Sequence, residues 1–185
     1  MRIICAFIGI ALFSIQSCAD TYINQKLSYG SFLKRGGIKF SNELKSINSG
    51  VIIYGEAWDN RSEEFSKIEW GSFNAHFRDI IRGDLNNFEQ KGFLFGSYRP
   101  NEDKSDLKSI ITGTSKISGG VYERPHHAIN FLEVHDDYCF SDFLRVSSGE
   151  NKKDDLITDT LSHISLSPKL KSMNNLAAFI LFTSQ

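Results

Sequence analysis

The chain has 185 residues, of which 41% are hydrophobic and 12% aromatic, so it is long enough to bury the core of one globular domain. Its 21 basic and 22 acidic residues give a formal net charge of −1. The basic residues are scattered, which indicates a mixed solvated surface and excludes the concentrated positive face that nucleic-acid binding needs.

The first residues have the layout of a secretory signal. Arg2 precedes an apolar stretch from Ile3 to Ile15. This stretch is shorter than the roughly 20 residues that span a bilayer. The sequence I-Q-S-C that ends at Cys18 is similar to the cleavage box of bacterial lipoproteins, in which the cysteine is lipidated. We therefore predict an exported protein of the cell envelope or medium, with membrane attachment through Cys18 as one case. The alternative is an accidental apolar N-terminus on a cytoplasmic protein.

Residues 1–18 are thus predicted to be a signal, 19–37 a linker and 38–185 the folded part. Ile38 to Ile47 has apolar side chains at helical spacing. Gly50 follows it and could form a left-handed helix cap. Val51 to Tyr54 is a continuous apolar run, which is typical of a strand buried on both faces in a parallel sheet. Helix, turn and buried strand form one unit of an α/β fold.

The remaining chain repeats this alternation. Further helices are predicted over Phe73–Leu85, Asp106–Thr112 and Ser172–Phe182. A second buried strand is predicted over Ala128–Val134, and Phe93–Ser97 reads as a short strand or a loop. Charged or polar loops are predicted over Asp59–Gly71 and Ser147–Asp155.

Carboxylates follow both predicted buried strands. Glu56 comes shortly after Tyr54, and Asp136 comes shortly after Val134. In barrel-type parallel folds the carboxyl ends of the strands face the active site. Glycoside hydrolysis uses two such carboxyl groups, one to protonate the leaving oxygen and one to stabilise the positive transition state. The competing interpretation is that each acid is a helix cap or a surface residue.

Metal and thiol chemistry are not predicted. His126 and His127 are adjacent, and on an extended segment their side chains would point to opposite sides. No H-E-x-x-H spacing accompanies them or the pair His135 and Asp136. The three cysteines form no C-x-x-C pair, and no motif places a base near Cys139. We expect no metal and no cofactor.

Taken together, the motifs resemble those of pullulanase-type glycoside hydrolases in the alpha-amylase superfamily. Y-G-E-A-W-D, which ends at Asp59, is similar to the strand end that carries their acid/base, and F-N-A-H-F-R-D-I-I-R-G resembles the segment that follows. A-I-N-F-L-E-V-H-D-D resembles their later strand end N-Y-V-E-S-H-D-N, and the preceding R-P-H-H is similar to the isoamylase branch. N-L-A-A-F-I-L-F-T-S-Q resembles the helix before the last barrel strand. The matches come in the family's order.

The resemblance implies a TIM-barrel hydrolase that cleaves α-1,6 branch points of pullulan, glycogen or starch with retention. Glu56 would then be the general acid/base and Asp136 the carboxylate that stabilises the transition state. His135 would donate to sugar hydroxyls, and Trp58 would line the site. A branched α-glucan would be the partner. Arg78 and Asp79 would support the fold.

Parts of the family pattern have no counterpart in this sequence. The family's nucleophile is an aspartate in a G-F-R-F-D-type strand, and nothing of this kind precedes Ile38. The D-x-x-x-N-H strand end is missing as well. We therefore expect a partial TIM barrel, roughly strands five to seven with their helices, that is inactive alone. The alternatives are an exported module that binds sugar or a protein partner, and one half of a split enzyme completed by another chain.

Overall fold

Helices and short parallel strands alternate along the chain in the computed structural model, which describes residues 36–57, 61–97, 103–135, 138–154 and 165–184. The helices of these residues are α1 (Ile38–Ile47), α2 (Ser62–Lys67), α3 (Ala75–Arg82), α4 (Asp103–Ile111), α5 (Phe140–Ser148) and α6 (Pro168–Thr183). The strands are β1 (Tyr54–Gly55), β2 (Gly71–Phe73) and β3 (Ala128–Ile129). Three short 3₁₀-helices cover Phe93–Phe95, Lys116–Ser118 and Pro125–His127.

The three strands form one parallel sheet in the order β1-β2-β3. Tyr54 pairs with Gly71, and Ser72 pairs with Ala128. The predicted α/β class with a parallel sheet is confirmed. The predicted strand lengths are wrong, because Val51–Ile53 and residues 130–134 lie outside the strands. Ile52 is also 71% exposed, so the run from Val51 is not buried on both faces.

Helix α1 has the predicted bounds, but Gly50 does not cap it as predicted. Gly50 is not among the glycines with positive φ. Instead, the backbone N–H of Asn48 donates to the carbonyl of Leu44, at 2.9 Å. The side-chain oxygen of Asn48 then accepts from the N–H of Gly50, at 3.0 Å. Asn48 therefore ends the helix with an Asx turn, which needs no left-handed glycine.

The chain folds into two compact units. Among the described residues, the first comprises 36–57, 61–73 and Val121–Ile129, and it contains the whole sheet. Its core consists of five buried side chains: Ile53, Ala57, Phe65, Ile68 and Trp70. The indole N–H of Trp70 donates to the hydroxyl of Ser41, which attaches α1 to this core.

The second unit comprises Asn74–Gly120 and Asn130–Gln185, as far as these are described. Its core is built by α3, α4, α5 and α6 together with Leu94 and Leu132. Helices α3, α4 and α6 confirm the three later helix predictions, although their bounds differ from the predicted ones. For example, the helix predicted over Phe73–Leu85 is shorter, because Phe73 belongs to β2 and Leu85 follows the end of α3. Helix α2 replaces part of the loop predicted over Asp59–Gly71. Helix α5 was missed, and its last two residues fall in the loop predicted from Ser147 onwards.

Among the described residues, no helix is both long and apolar enough to cross a membrane. The signal predicted for residues 1–18, with its Cys18, lies outside the described residues.

Candidate active site

Glu56 directly follows β1, so it lies at the carboxyl edge of the parallel sheet. Its side chain is half-buried, and the next residue, Ala57, is buried in the core of the first unit. The main chain is therefore anchored on both sides of Glu56, by the sheet before it and by the core after it. This is the position that the sequence predicted for an acid at a strand end.

Gly55 lets β1 approach the core closely just before Glu56. A Cβ atom at this position would lie 3.0 Å from Cε1 of Phe65. Phe65 is fully buried and packs edge-to-face against Trp70, with 5.6 Å between the ring centroids. Tyr54 packs in the same way against Phe73 of β2, at 5.7 Å. These aromatic contacts fix the strand that presents Glu56.

Of the other predicted site residues, the structure describes His135 and does not describe the rest. His135 lies in a turn after β3 and is exposed. Asp136, Trp58 and Cys18 lie outside the described residues, as do Asp59 and Asp137. The structure therefore describes two of the predicted catalytic and binding side chains, Glu56 in the first unit and His135 in the second.

Glu133 has a structural role that the sequence analysis did not identify. Its carboxylate accepts a hydrogen bond from the backbone N–H of Phe140, the first residue of α5. The side chain of Cys139, at the helix cap position, makes no capping bond. A negative charge at a helix N-terminus is stabilised by the free N–H groups and the helix dipole. Glu133 therefore fixes one end of the segment that carries His135.

Asn74 and Asn130 directly follow β2 and β3, and sequence reasoning missed both. Asn74 is buried, and its Oδ1 accepts from the N–H of Phe77 as the cap of α3. Its Nδ2 donates to Oγ1 of Thr114 and to Oδ1 of Asn130, both at 2.8 Å. Asn130 in turn donates to the hydroxyl of Ser184, at 3.1 Å. An asparagine just before a helical pattern is a known cap signal, which could have identified Asn74.

His126 and His127 do not point to opposite sides of an extended segment. Pro125 begins a 3₁₀-helix that contains both histidines, and their ring centroids are 4.6 Å apart. With Glu69 they form a group whose potential ligand atoms lie within 4.8 Å of one another. Burial lowers the pKa of the His127 imidazole; the nearby His126 lowers it further, and the carboxylate of Glu69 opposes the shift. The prediction that the two side chains point to opposite sides, on which the exclusion of a metal rested, was therefore wrong.

Arg78 and Asp79 fit the supporting role that the resemblance implies. Nε of Arg78 donates to Oδ1 of Asp79 at 2.7 Å, and the guanidinium lies 5.4 Å from the ring centroid of Phe131. Arg82 is fully buried on the same helix and donates to the carbonyl of Leu132, at 2.7 Å. Its guanidinium packs on the ring of Phe143, at 4.6 Å. Both arginines join α3 to the segment after β3.

No family model matches the chain. A curated relative, the pullulanase of Bacillus subtilis strain 168, is 27% identical over 106 residues, a match that covers 50% of this chain and 14% of the relative.

Solved pullulanase structures share the fold. A variant from Paenibacillus barengoltzii in complex with maltotetraose has a TM-score of 0.64 at 21% identity. The type I enzyme of Bacillus subtilis strain 168 in complex with maltose has 0.62 at 20%, and the Bacillus acidopullulyticus enzyme has 0.59 at 26%. Each comparison covers 80% of this chain and 17% to 22% of the other. The resemblance predicted from the sequence is thereby confirmed: the chain is similar to pullulanases, and it covers between 14% and 22% of their length.

Proposed function

We propose that the chain corresponds to strands five to seven of a pullulanase-type barrel and that Glu56 is its acid/base residue. The observation that carries this proposal is the position of Glu56 after β1, the first of three adjacent parallel strands, in a chain whose fold matches pullulanases over 80% of its length. The carboxyl ends of barrel strands are where catalytic side chains lie in this kind of fold.

The proposed ligand is a branched α-glucan. Two of the similar structures are pullulanases in complex with maltotetraose and maltose. In this chain, His135 is exposed and available to donate hydrogen bonds to sugar hydroxyls. Trp58 would provide an apolar wall next to Glu56, and Asp136 would stabilise the positive charge of the transition state. Both assignments follow from the sequence motifs.

We further propose that the chain does not hydrolyse α-1,6 bonds alone. A retaining glycosidase places its acid/base and its nucleophile about 5–5.5 Å apart, and the nucleophile forms the covalent intermediate. This sequence has no G-F-R-F-D-type motif before Glu56. Removal of a catalytic nucleophile can lower turnover by a factor on the order of 10⁶. Activity would then need a nucleophile from outside these 185 residues.

The test measures binding and hydrolysis separately. Titration of the full chain with maltotetraose should show weak binding that is reduced in His135→Ala and unchanged in His76→Ala, which removes an exposed histidine on α3. Reducing-sugar release from pullulan should be at background for the full chain and for Glu56→Gln.

The two assays contradict different parts of the proposal. Release that disappears in Glu56→Gln would show an active site in this chain and overturn the proposed inactivity. Absence of maltotetraose binding at millimolar concentration would overturn the glucan-binding role and favour a module for a protein partner. Release that appears only when a chain with the family's nucleophile strand is added would support the split enzyme.

A further inference from the structure

A second cluster of chemically reactive side chains lies at the amino edge of the sheet. Glu69 is two residues before β2, and His127 directly precedes β3. His126 is adjacent, and the ligand atoms of the three side chains lie within 4.8 Å of one another. Because the strands are parallel, this edge is opposite to the carboxyl edge at which Glu56 follows β1. The cluster is therefore separate from the candidate active site.

One ring nitrogen of His127 has a hydrogen-bond partner among the described residues, and the other has none. The side chain is only 3% exposed. Its Nδ1 lies 2.8 Å from the hydroxyl of Ser66, which also accepts the N–H of Glu123 at 2.6 Å. Its Nε2 is buried without a hydrogen-bond partner among the described residues. Buried polar atoms are rarely left unpaired, so this atom needs an explanation.

A metal ion bound to Nε2 would satisfy this atom. When Nδ1–H donates to the hydroxyl of Ser66, Nε2 carries the free electron pair that a metal ligand needs. Histidines that bind metals are usually oriented by such a hydrogen bond from the other ring nitrogen. Ser66 is fully buried on α2, so its hydroxyl is a fixed partner.

A carboxylate oxygen of Glu69 lies near Nε2 of His127. Its Oε2 lies 3.5 Å from Nε2 of His127, which is too long for a good hydrogen bond. Its other oxygen, Oε1, lies 3.5 Å from the guanidinium of Arg124. Arg124 therefore orients the carboxylate and leaves Oε2 for a ligand. Glu69 also has a φ of 63°, a left-handed backbone conformation that is uncommon for a residue other than glycine.

The distances suit a small ion with nitrogen and oxygen ligands. Zinc binds histidine nitrogen and carboxylate oxygen at about 2.0–2.2 Å, so that neighbouring ligand atoms of a tetrahedral site are about 3.3–3.5 Å apart. The separation of 3.5 Å between Nε2 of His127 and Oε2 of Glu69 meets this requirement. His126 and Glu69 are exposed, so their side chains can rotate to shorten the remaining separations.

We propose that Glu69, His126 and His127 bind one zinc ion, with water in the fourth position. The ion would join the turn that enters β2 to the 3₁₀-helix that enters β3. Such a site at the amino ends of the strands would stabilise the sheet and take no part in glucan chemistry. Arg124 is a nearby positive charge that opposes the ion, so we expect affinity in the micromolar range.

The test is a calorimetric titration of the chelator-treated full chain with zinc chloride. We expect one site per chain. Glu69→Gln and His126→Asn should each weaken binding by about tenfold or more, because each removes one ligand of three. Both side chains are exposed, so these variants should fold. The matched controls are Glu64→Gln on α2 and His76→Asn on α3, which should leave the affinity unchanged.

A thermal-unfolding series gives a second readout. Zinc should raise the Tm of the unchanged chain in a concentration-dependent way, because an ion that binds only the folded state stabilises it by mass action. At a given zinc concentration, the shift should be smaller in Glu69→Gln and unchanged in Cys139→Ser. Absence of binding at 100 micromolar zinc would overturn the proposal. Binding that survives both ligand variants, or that is lost in Cys139→Ser, would also overturn it.

Discussion

Asn74 is a single buried residue that satisfies three polar groups at once. It caps α3 through the N–H of Phe77 and donates to Thr114 and Asn130. Loss of a cap costs about 0.5–2 kcal/mol, and the buried hydroxyl of Thr114 left without its donor costs about 1–3 kcal/mol more. The network therefore contributes more to stability than the cap alone.

We predict that Asn74→Ala lowers the free energy of unfolding by about 2–4 kcal/mol. The matched control is Ser167→Ala, which removes the cap of α6 but no buried network, since its second partner is the exposed Glu150. That change should cost about 0.5–2 kcal/mol. Urea unfolding of both variants gives the comparison. Equal losses would show that the bonds to Thr114 and Asn130 contribute nothing.

Tyr122 is the second residue whose environment leads to a measurable effect. It is 1% exposed, and its hydroxyl lies 3.1 Å from that of Ser72 on β2. Burial raises the pKa of its phenol above the ordinary value of 10.0, and hydrogen bonds to Ser62 and Ser72 oppose part of this shift. The folded chain therefore keeps this proton at a pH at which the unfolded chain has lost it.

The sign of the resulting pH dependence follows from proton binding. Above pH 10 the folded state binds more protons at Tyr122 than the unfolded state, so the free energy of unfolding falls as pH rises. The stabilisation is complete below pH 10 and is lost as pH approaches the raised pKa. Urea unfolding from pH 8.5 to 11.5 should show this loss, and Tyr122→Phe should reduce it. Parallel curves for the two proteins would contradict the prediction.

At the scale of elements, α6 has one face in the core and one outside it. Leu170 and Ala177 are fully buried, whereas Phe179 and Phe182 are 65% and 84% exposed. Pro168 at the first turn and Ser167 at the cap fix where the helix begins. Its contribution to the second unit therefore depends on a few inward-facing side chains.

We predict that Leu170→Ala lowers the free energy of unfolding by about 2–5 kcal/mol, because it leaves a cavity in the buried core of the second unit. Leu176→Ala removes the same atoms from a side chain that is 43% exposed, and it should cost less than about 1 kcal/mol. Chemical unfolding of the two variants measures the difference. Similar losses would mean that the packing of α6 is not as described.

In the whole molecule, Glu56 and the proposed zinc ligands lie at opposite edges of the sheet. Glu56 follows the carboxyl end of β1, whereas Glu69 and His127 precede β2 and β3. In barrel folds the first edge carries catalysis and the second carries stability. The proposed glucan site and the proposed zinc site should therefore fail independently when their residues are changed.

The alternation of helices and strands was predictable because it depends on local periodicity. Ile38, Phe40, Leu44 and Ile47 repeat at helical spacing, and α1 has the predicted bounds. Helix α5 carried a similar signal, with Phe140, Phe143 and Leu144 all buried on one face, and was overlooked. Helix α2 has only six residues and one large buried side chain, Phe65, so its periodicity was too short to detect.

Four features could be predicted from the sequence: the α/β class, the positions of most helices, the position of Glu56 after a strand and the likeness to pullulanases. These depend on residue spacing and on motif order, which are properties of the chain alone. The ends of the strands and the contacts between distant side chains became visible in the folded chain. Glu69 and His127 come together across neighbouring strands, and Glu133 caps a helix seven residues away. Such contacts depend on sheet register and loop paths, which are set by packing of the whole chain rather than by local preference.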